Sequence, residues 1–142
     1  MPGENSTRFL LDTNILSELI RNPSGIVRDR IEKEGEDSIA VSIVVAAELR
    51  FGAAKRRSER LSEHVEAILL SVTILPLEEP VDRHYAEIRA SLEASGNPIG
   101  PNDLLIAAHA RALGLTVVTA NVAEFSKVPG LAVTNWLHPK AP

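Results

Sequence analysis

The stretch Arg8-Phe9-Leu10-Leu11-Asp12-Thr13-Asn14-Ile15-Leu16-Ser17-Glu18-Leu19 (RFLLDTNILSEL) changes pattern in its middle. Arg8–Leu11 reads as a short buried strand. From there Ile15, Leu16, Leu19 and Ile20 recur at helical spacing until Asn22-Pro23 stops the helix. Asp12 stands at the junction. A carboxylate there is most often a helix N-cap. It is also where a ligand meets the carboxyl edge of an open parallel sheet. The choice between the two depends on the rest of the chain.

The same alternation repeats outward from this segment. A helix is expected over Ile26–Lys33 and a strand over Ile39–Val41. Ser42 then caps a helix that runs through Glu48 to about Arg57. Residues 58–70 continue as helix, and Val72–Leu75 forms a strand closed by Pro76. Pro80 suits a first helical position, before a helix whose face is Val81, Tyr85, Ile88 and Leu92 and which lasts to Ser95. The turn-rich segment Gly96–Pro101 leads to Asn102 as a cap for the apolar helix Asp103–Leu113, which Gly114 ends. Thr116–Thr119 is a β-branched strand, and Leu131–Val133 a short one near the C-terminus. Strands alternating with helices imply an α/β fold with a central parallel sheet flanked by helices on both faces.

Composition narrows the class. With 142 residues the chain fits one domain, and no repeat or linker divides it. Aromatics make up only 4%, so an aliphatic core is expected. The absence of cysteine excludes disulfides, thiolate zinc sites and a cysteine nucleophile together. The longest apolar runs, Ile43–Ala47 and Leu104–Ala108, fall far short of the ~20 residues that cross a bilayer. The opening MPGENSTR lacks the layout of a secretory signal, so a cytoplasmic protein is expected. A net charge of −4 argues against a protein that coats nucleic acid through bulk positive potential, but not against a nuclease with a carboxylate-rich site.

Four polar residues are candidates for one site. Asp12 and Asn121 each follow a strand. Asp103 opens a helix, and reaches the same edge only if the preceding loop brings it there. Glu48 lies in IVVAAELRFGAA, apolar or small on nearly every face, and a helix apolar all round is normally buried. A carboxylate inside it needs neutralisation, a partner or a metal, and Arg50 points to a different face. Taken singly, Asp103 also reads as a first-turn acid favoured by the helix dipole, and Asn121 as a turn residue. As a set, three acids repel and call for a cation, and oxygen ligands with no cysteine suit Mg²⁺ or Mn²⁺. That is the chemistry of phosphodiester hydrolysis. His64, His84, His109 and His138 show no metal-ligand spacing, and His109 reads as a hydrogen-bonded core residue.

LLDTNILSEL, VSIVVAAELRFGA, IGPNDLLIAAHARALGL, VVTANVAEF, VPGL and NW, in this order over nearly the whole chain, resemble the PIN-domain ribonuclease toxins of the VapC type. The resemblance implies a single PIN domain over residues 1–142 and an endoribonuclease dependent on Mg²⁺ or Mn²⁺, commonly acting on tRNA or other structured RNA. It also implies a VapB-type antitoxin as partner and a homodimeric toxin unit. By motif, Asp12, Glu48 and Asp103 match the acidic triad, with Asp12 and Asp103 as metal ligands and Glu48 orienting the water. Asn14 and Thr119 match supporting residues. Asn121 stands where many PIN domains carry a fourth acid, which Glu124 either replaces or, as an ordinary first-turn acid, does not. Arg50, Lys55, Arg56 and Arg57 are candidates to grip RNA phosphates, or form a solvated helix end.

Other folds of this size that place an Asp at a strand end fit less well. A receiver-type domain needs an acidic pair near its first strand and a Lys after its last core strand, and an aspartyl phosphatase wants an Asp where Asn14 stands. The remaining alternative is a PIN-like RNA- or protein-binding module with a degenerate site.

Overall fold

The computed structural model describes residues 6–137, and His138 lies outside the described residues. The strands are β1 (Phe9–Leu11), β2 (Ile39–Ser42), β3 (Thr73–Leu75), β4 (Thr116–Val118) and β5 (Val133–Thr134). The helices are α1 (Thr13–Arg21), α2 (Ile26–Glu34), α3 (Ile43–Arg56), α4 (Glu59–Ser71), α5 (Val81–Ala94), α6 (Pro101–Leu113) and α7 (Val122–Phe125). A single 3₁₀ turn, Glu36–Ser38, leads into β2. The expected α/β architecture is present: one five-stranded sheet, all parallel in its pairings, in the order β3-β2-β1-β4-β5.

That order fixes where a ligand goes. The chain builds outward from β1 to β2 and β3, then crosses through α5 and α6 to place β4 on β1's other side. Strand order therefore reverses between β1 and β4, and the crevice at their carboxyl ends is the favoured binding position. Leu11 pairs with Val118 at the end of both strands, which sets Asp12 beside Thr119. The Asp12 N–H donates to the Val118 carbonyl at 2.9 Å, which extends the ladder one residue into the site.

The core is aliphatic with two aromatic exceptions, the fully buried Phe125 and Trp136. The Trp136 ring meets Phe9 edge-on at 5.2 Å and anchors the segment after β5 against β1. Helix α3 departs from expectation. It is not buried all round, because Ile43 and Phe51 stand 41% and 67% exposed. Its inner face, with Val44, Val45 and Leu49, is buried as the pattern requires.

Two helix starts also differ from their expected positions. Pro80 caps α5 from outside and Val81 is the first helical residue. In α6 the N-cap is Gly100, not Asn102, and Pro101 opens the helix. Pro has no N–H to leave unsatisfied and its fixed φ suits the first helical position, so the start lies two residues earlier. The Asn102 side chain is thereby released from capping. The last strand also begins later than Leu131, because Val117 N–H takes the Ala132 carbonyl and Thr119 N–H that of Thr134.

Ser42 caps α3 as expected, its Oγ accepting from Val44 N–H at 3.1 Å. The same buried hydroxyl lies 2.9 Å from His109 Nδ1. The His109 ring gives its N–H to the Pro76 carbonyl, and burial holds its pKa below the usual imidazole range. A neutral ring has one donor, so Nδ1 accepts from Ser42. His109 is thus the hydrogen-bonded core residue the sequence suggested. Ser42→Ala should cost about 1–3 kcal/mol in urea unfolding, because it removes a cap and strands a buried imidazole nitrogen. An unchanged midpoint would mean that water replaces the hydroxyl.

Candidate active site

A cleft of about 410 Å³ at the carboxyl ends of β1 and β4 is lined by Asp12, Thr13, Asn14, Ser17, Arg21, Glu48, Asp103 and Asn121. Four elements contribute: one face of α1 along its length, the middle of α3, the first turn of α6 and the loop after β4. The preceding loop does bring Asp103 to the edge where Asp12 and Asn121 lie. All four candidate residues meet in one place.

Asp12 caps a helix and lines the cleft at once. It is 3% exposed and caps α1 through Oδ1, which accepts from Thr13 N–H at 2.8 Å. Its Oδ2 accepts from the Thr119 hydroxyl at 2.8 Å and from Asn14 Nδ2 at 3.2 Å. Asn14 is held in turn by Ala120 N–H on its Oδ1 at 2.9 Å. Burial pushes the Asp12 carboxyl above the usual range, with Glu48 adding repulsion, while the donors from Thr119, Thr13 and Asn14 pull it back. Capping alone uses one oxygen; the other is aimed by two side chains that do nothing for the helix.

Glu48 is half-buried and accepts from both sides. The Thr13 hydroxyl donates to Oε1, and Asn102 Nδ2 donates to Oε2 at 3.0 Å. Arg50, as the sequence implied, turns elsewhere and forms a two-pronged pair with Glu66 at 2.9 and 3.0 Å.

Asp103 is the most perturbed acid, pushed up to about 8 by burial first, then by a hydrogen bond with Glu124 and repulsion from Asp12, Glu124 and Glu48. Glu124 lies in the first turn of the four-residue α7, the first-turn acid of one sequence reading, and its side chain interacts with Asp103. Asn121 lines the cleft from the exposed loop, its N–H donating to Thr119 Oγ1 at 2.9 Å.

Among the described residues, no three acidic or histidine side chains are drawn close enough to form a finished metal cage. The bonding explains the spacing, since Thr13 and Asn102 hold Glu48 while Asp103 turns to Glu124. The donor chemistry nonetheless fits a hard divalent cation, being oxygen throughout. The raised Asp103 is the strain that a cation would relieve.

The basic candidates lie apart from the cleft. Lys55 and Arg56 are exposed in the last turn of α3 and Arg57 is its C-cap, about 12 Å along the axis from Glu48. The basic residue that does line the cleft is Arg21, paired with Glu18 at 2.9 Å. Sequence reasoning missed it together with Thr13, Ser17 and Asn102. Asn14, Ser17 and Arg21 recur at helical spacing on α1, a polar stripe that was there to be read.

A parallel sheet with acids gathered at the carboxyl ends of its switch-point strands places oxygen donors where an open α/β sheet binds its ligand. The family model described as PIN domain matches residues 9–131. The tRNA(fMet)-specific endonuclease VapC of Shigella flexneri is 37% identical over 130 residues, 91% of this chain and 98% of that protein. Among solved structures, DNA-bound VapBC from Salmonella typhimurium superposes with a TM-score of 0.85 at 34% identity, over 92% of this chain and 98% of that one. VapBC2 from Rickettsia felis, bound to a promoter DNA fragment, gives 0.86 at 34% identity, over 92% and 99%. The chain belongs to the PIN-domain family, among its VapC ribonucleases. Nucleases with this domain generally depend on a divalent metal. No helix of the described residues is long and apolar enough to cross a membrane.

Proposed function

We propose that this ribonuclease is the toxin of a type II toxin–antitoxin pair, a single PIN domain acting in the cytoplasm on tRNA or other structured RNA. The observation that carries the reading is the convergence of Asp12, Glu48 and Asp103 on one cleft whose oxygen donors suit Mg²⁺, with Mn²⁺ as a substitute. Asp12 and Asp103 would hold the cation and Asn121 would add a neutral oxygen. Glu124 would supply the fourth carboxylate that Asn121 lacks, bearing on Asp103 directly. The cation, when bound, offsets charge on the phosphate and acidifies water. Glu48 would orient the attacking water and could accept its proton, while Asn14 and Thr119 keep Asp12 aimed at the cleft. Arg21 would meet a phosphate at the cleft, and Lys55, Arg56 and Arg57 phosphates further along the strand. Arg50 would join them only by exchanging Glu66 for a phosphate.

The partner would be a VapB-type antitoxin, and the toxin unit a homodimer. An apolar groove of about 500 Å³ bordered by Leu19, Ile20, Ile31, Ile68 and Val72 suits an amphipathic segment of such a protein. Phe51 and Leu70, 67% and 88% exposed, are the kind of surface a protein contact covers.

The test is cleavage of total tRNA by purified protein free of antitoxin, in Mg²⁺, Mn²⁺ or EDTA. Discrete fragments that vanish in EDTA are expected. If neither metal supports cleavage of tRNA or of other structured RNA, the fold is serving as a binding module.

A further inference from the structure

We infer that Asn102 is a positioning residue that holds Glu48 in its working orientation, an inference that rests on the nuclease reading above. A glutamate side chain has several freely rotating torsions. Of its same-face neighbours on α3, Val44 and Val45 are buried and Phe51 is exposed, so the half-buried carboxylate is packed on one side and open on the other. Two hydrogen bonds do the fixing. Thr13 donates to Oε1 and Asn102 Nδ2 donates to Oε2 at 3.0 Å.

The chain positions of these donors give them their meaning. Thr13 adjoins Asp12, and Asn102 adjoins Asp103. Each donor therefore ties Glu48 to the backbone segment carrying one of the other two acids. Asp12, Glu48 and Asp103 line one cleft, and acids gathered this way repel whenever they are charged. The two ties hold their spacing against that repulsion before any cation or RNA arrives. Asn102 has no competing duty. Gly100 and Pro101 start α6 without it, its side chain is exposed, and among the described residues its hydrogen bond to Glu48 is the single one it makes.

The partners of site carboxylates typically change metal affinity or activity by about 10- to 100-fold when lost. Asn102→Ala should therefore lower kcat by roughly that factor while leaving KM for RNA and the thermal midpoint unchanged. The deciding comparison introduces Asn102→Ala into a Glu48→Ala background, where nothing remains to be positioned. There it should cost nothing further. Mn²⁺ affinity of the RNA-free protein, read by water-proton relaxation, should follow the same pattern: weaker in Asn102→Ala, and equal between Glu48→Ala and the double variant. Equal losses in both backgrounds would overturn the assignment, as would a change confined to KM, which would mark Asn102 as an RNA contact. If the unmodified protein cleaves no RNA, the nuclease reading is what has failed, and the Mn²⁺ comparison still decides whether Asn102 acts through Glu48.

Discussion

Asp12→Asn should lower RNA cleavage roughly a thousandfold and leave the protein folded. The side chain keeps its shape, so the amide oxygen can still cap α1 by accepting from Thr13 N–H, now 2.8 Å from Oδ1. What changes is the second oxygen. As an amide nitrogen it can donate to the Thr119 hydroxyl, which rotates to accept, but it no longer accepts from Asn14 Nδ2. One modest hydrogen bond is lost, about 1 kcal/mol. Against that, a buried charge disappears whose burial already pushes its pKa upward, so the two effects nearly cancel. Activity has no such compensation. An amide neither attracts a divalent cation as a carboxylate does nor offsets its charge, and Asp12 is the most enclosed acid of the cleft at 3% exposure. Circular dichroism melting alongside the tRNA assay separates the outcomes. A folded, inactive variant is expected. Wild-type cleavage would reduce Asp12 to a helix cap, and an unfolded variant would show that its bonds to β4 and α1 are structural first.

The legibility of this site in the sequence depended on distance along the chain. Asp12 was readable because the strand, the turn and the helix that define its position all lie within a dozen residues of it. The sheet edge was readable because strands alternating with helices force a parallel arrangement, whose carboxyl edge collects the residues after β1 and β4. Glu48 was flagged by an apolar helix around it, although the exposed Phe51 and Ile43 leave that helix buried on one face only. Asn102 was hidden by a local rule applied two residues late. An Asn before an apolar run reads as a cap, and only Pro101 at the first helical position moves the cap to Gly100. Its bond to Glu48 spans 54 positions and leaves no local trace. The Asp103–Glu124 contact is hidden likewise, since α7 is a single turn with no apolar period to announce it. Strand ends and an apolar helix grouped the acids in the sequence, and the resemblance to VapC toxins assigned their roles; the hydrogen bonds that hold them came from the fold.

Asp103→Asn should stabilise the metal-free protein while removing its activity, and should flatten its stability against pH. In the folded state the Asp103 carboxyl is pushed up to about 8, whereas in an unfolded chain it titrates near 4. Between those values the folded protein keeps a proton that the unfolded chain has released. Stability therefore falls as pH rises through this window, by the linkage between proton binding and folding. The substituted amide removes the titration and can donate to Glu124 in place of the shared proton. Because the pair is half-open to solvent, screening reduces the gain to about 1–2 kcal/mol, roughly 3–8 °C in the thermal midpoint at pH 8. His109, held below its usual range, titrates in the opposite sense and destabilises only at lower pH, so midpoints from pH 6.5 to 8.5 isolate the acids. Over that range the unmodified protein should lose stability and Asp103→Asn much less. Mg²⁺ at pH 8 should raise the midpoint of the first and not of the second, because a cation stabilises only a state that binds it. A slope that survives the substitution would transfer the effect to Asp12, whose carboxyl is raised by the same burial. A variant less stable than the parent would mean that the Asp103–Glu124 bond, and not the charge it relieves, is what α6 and α7 require.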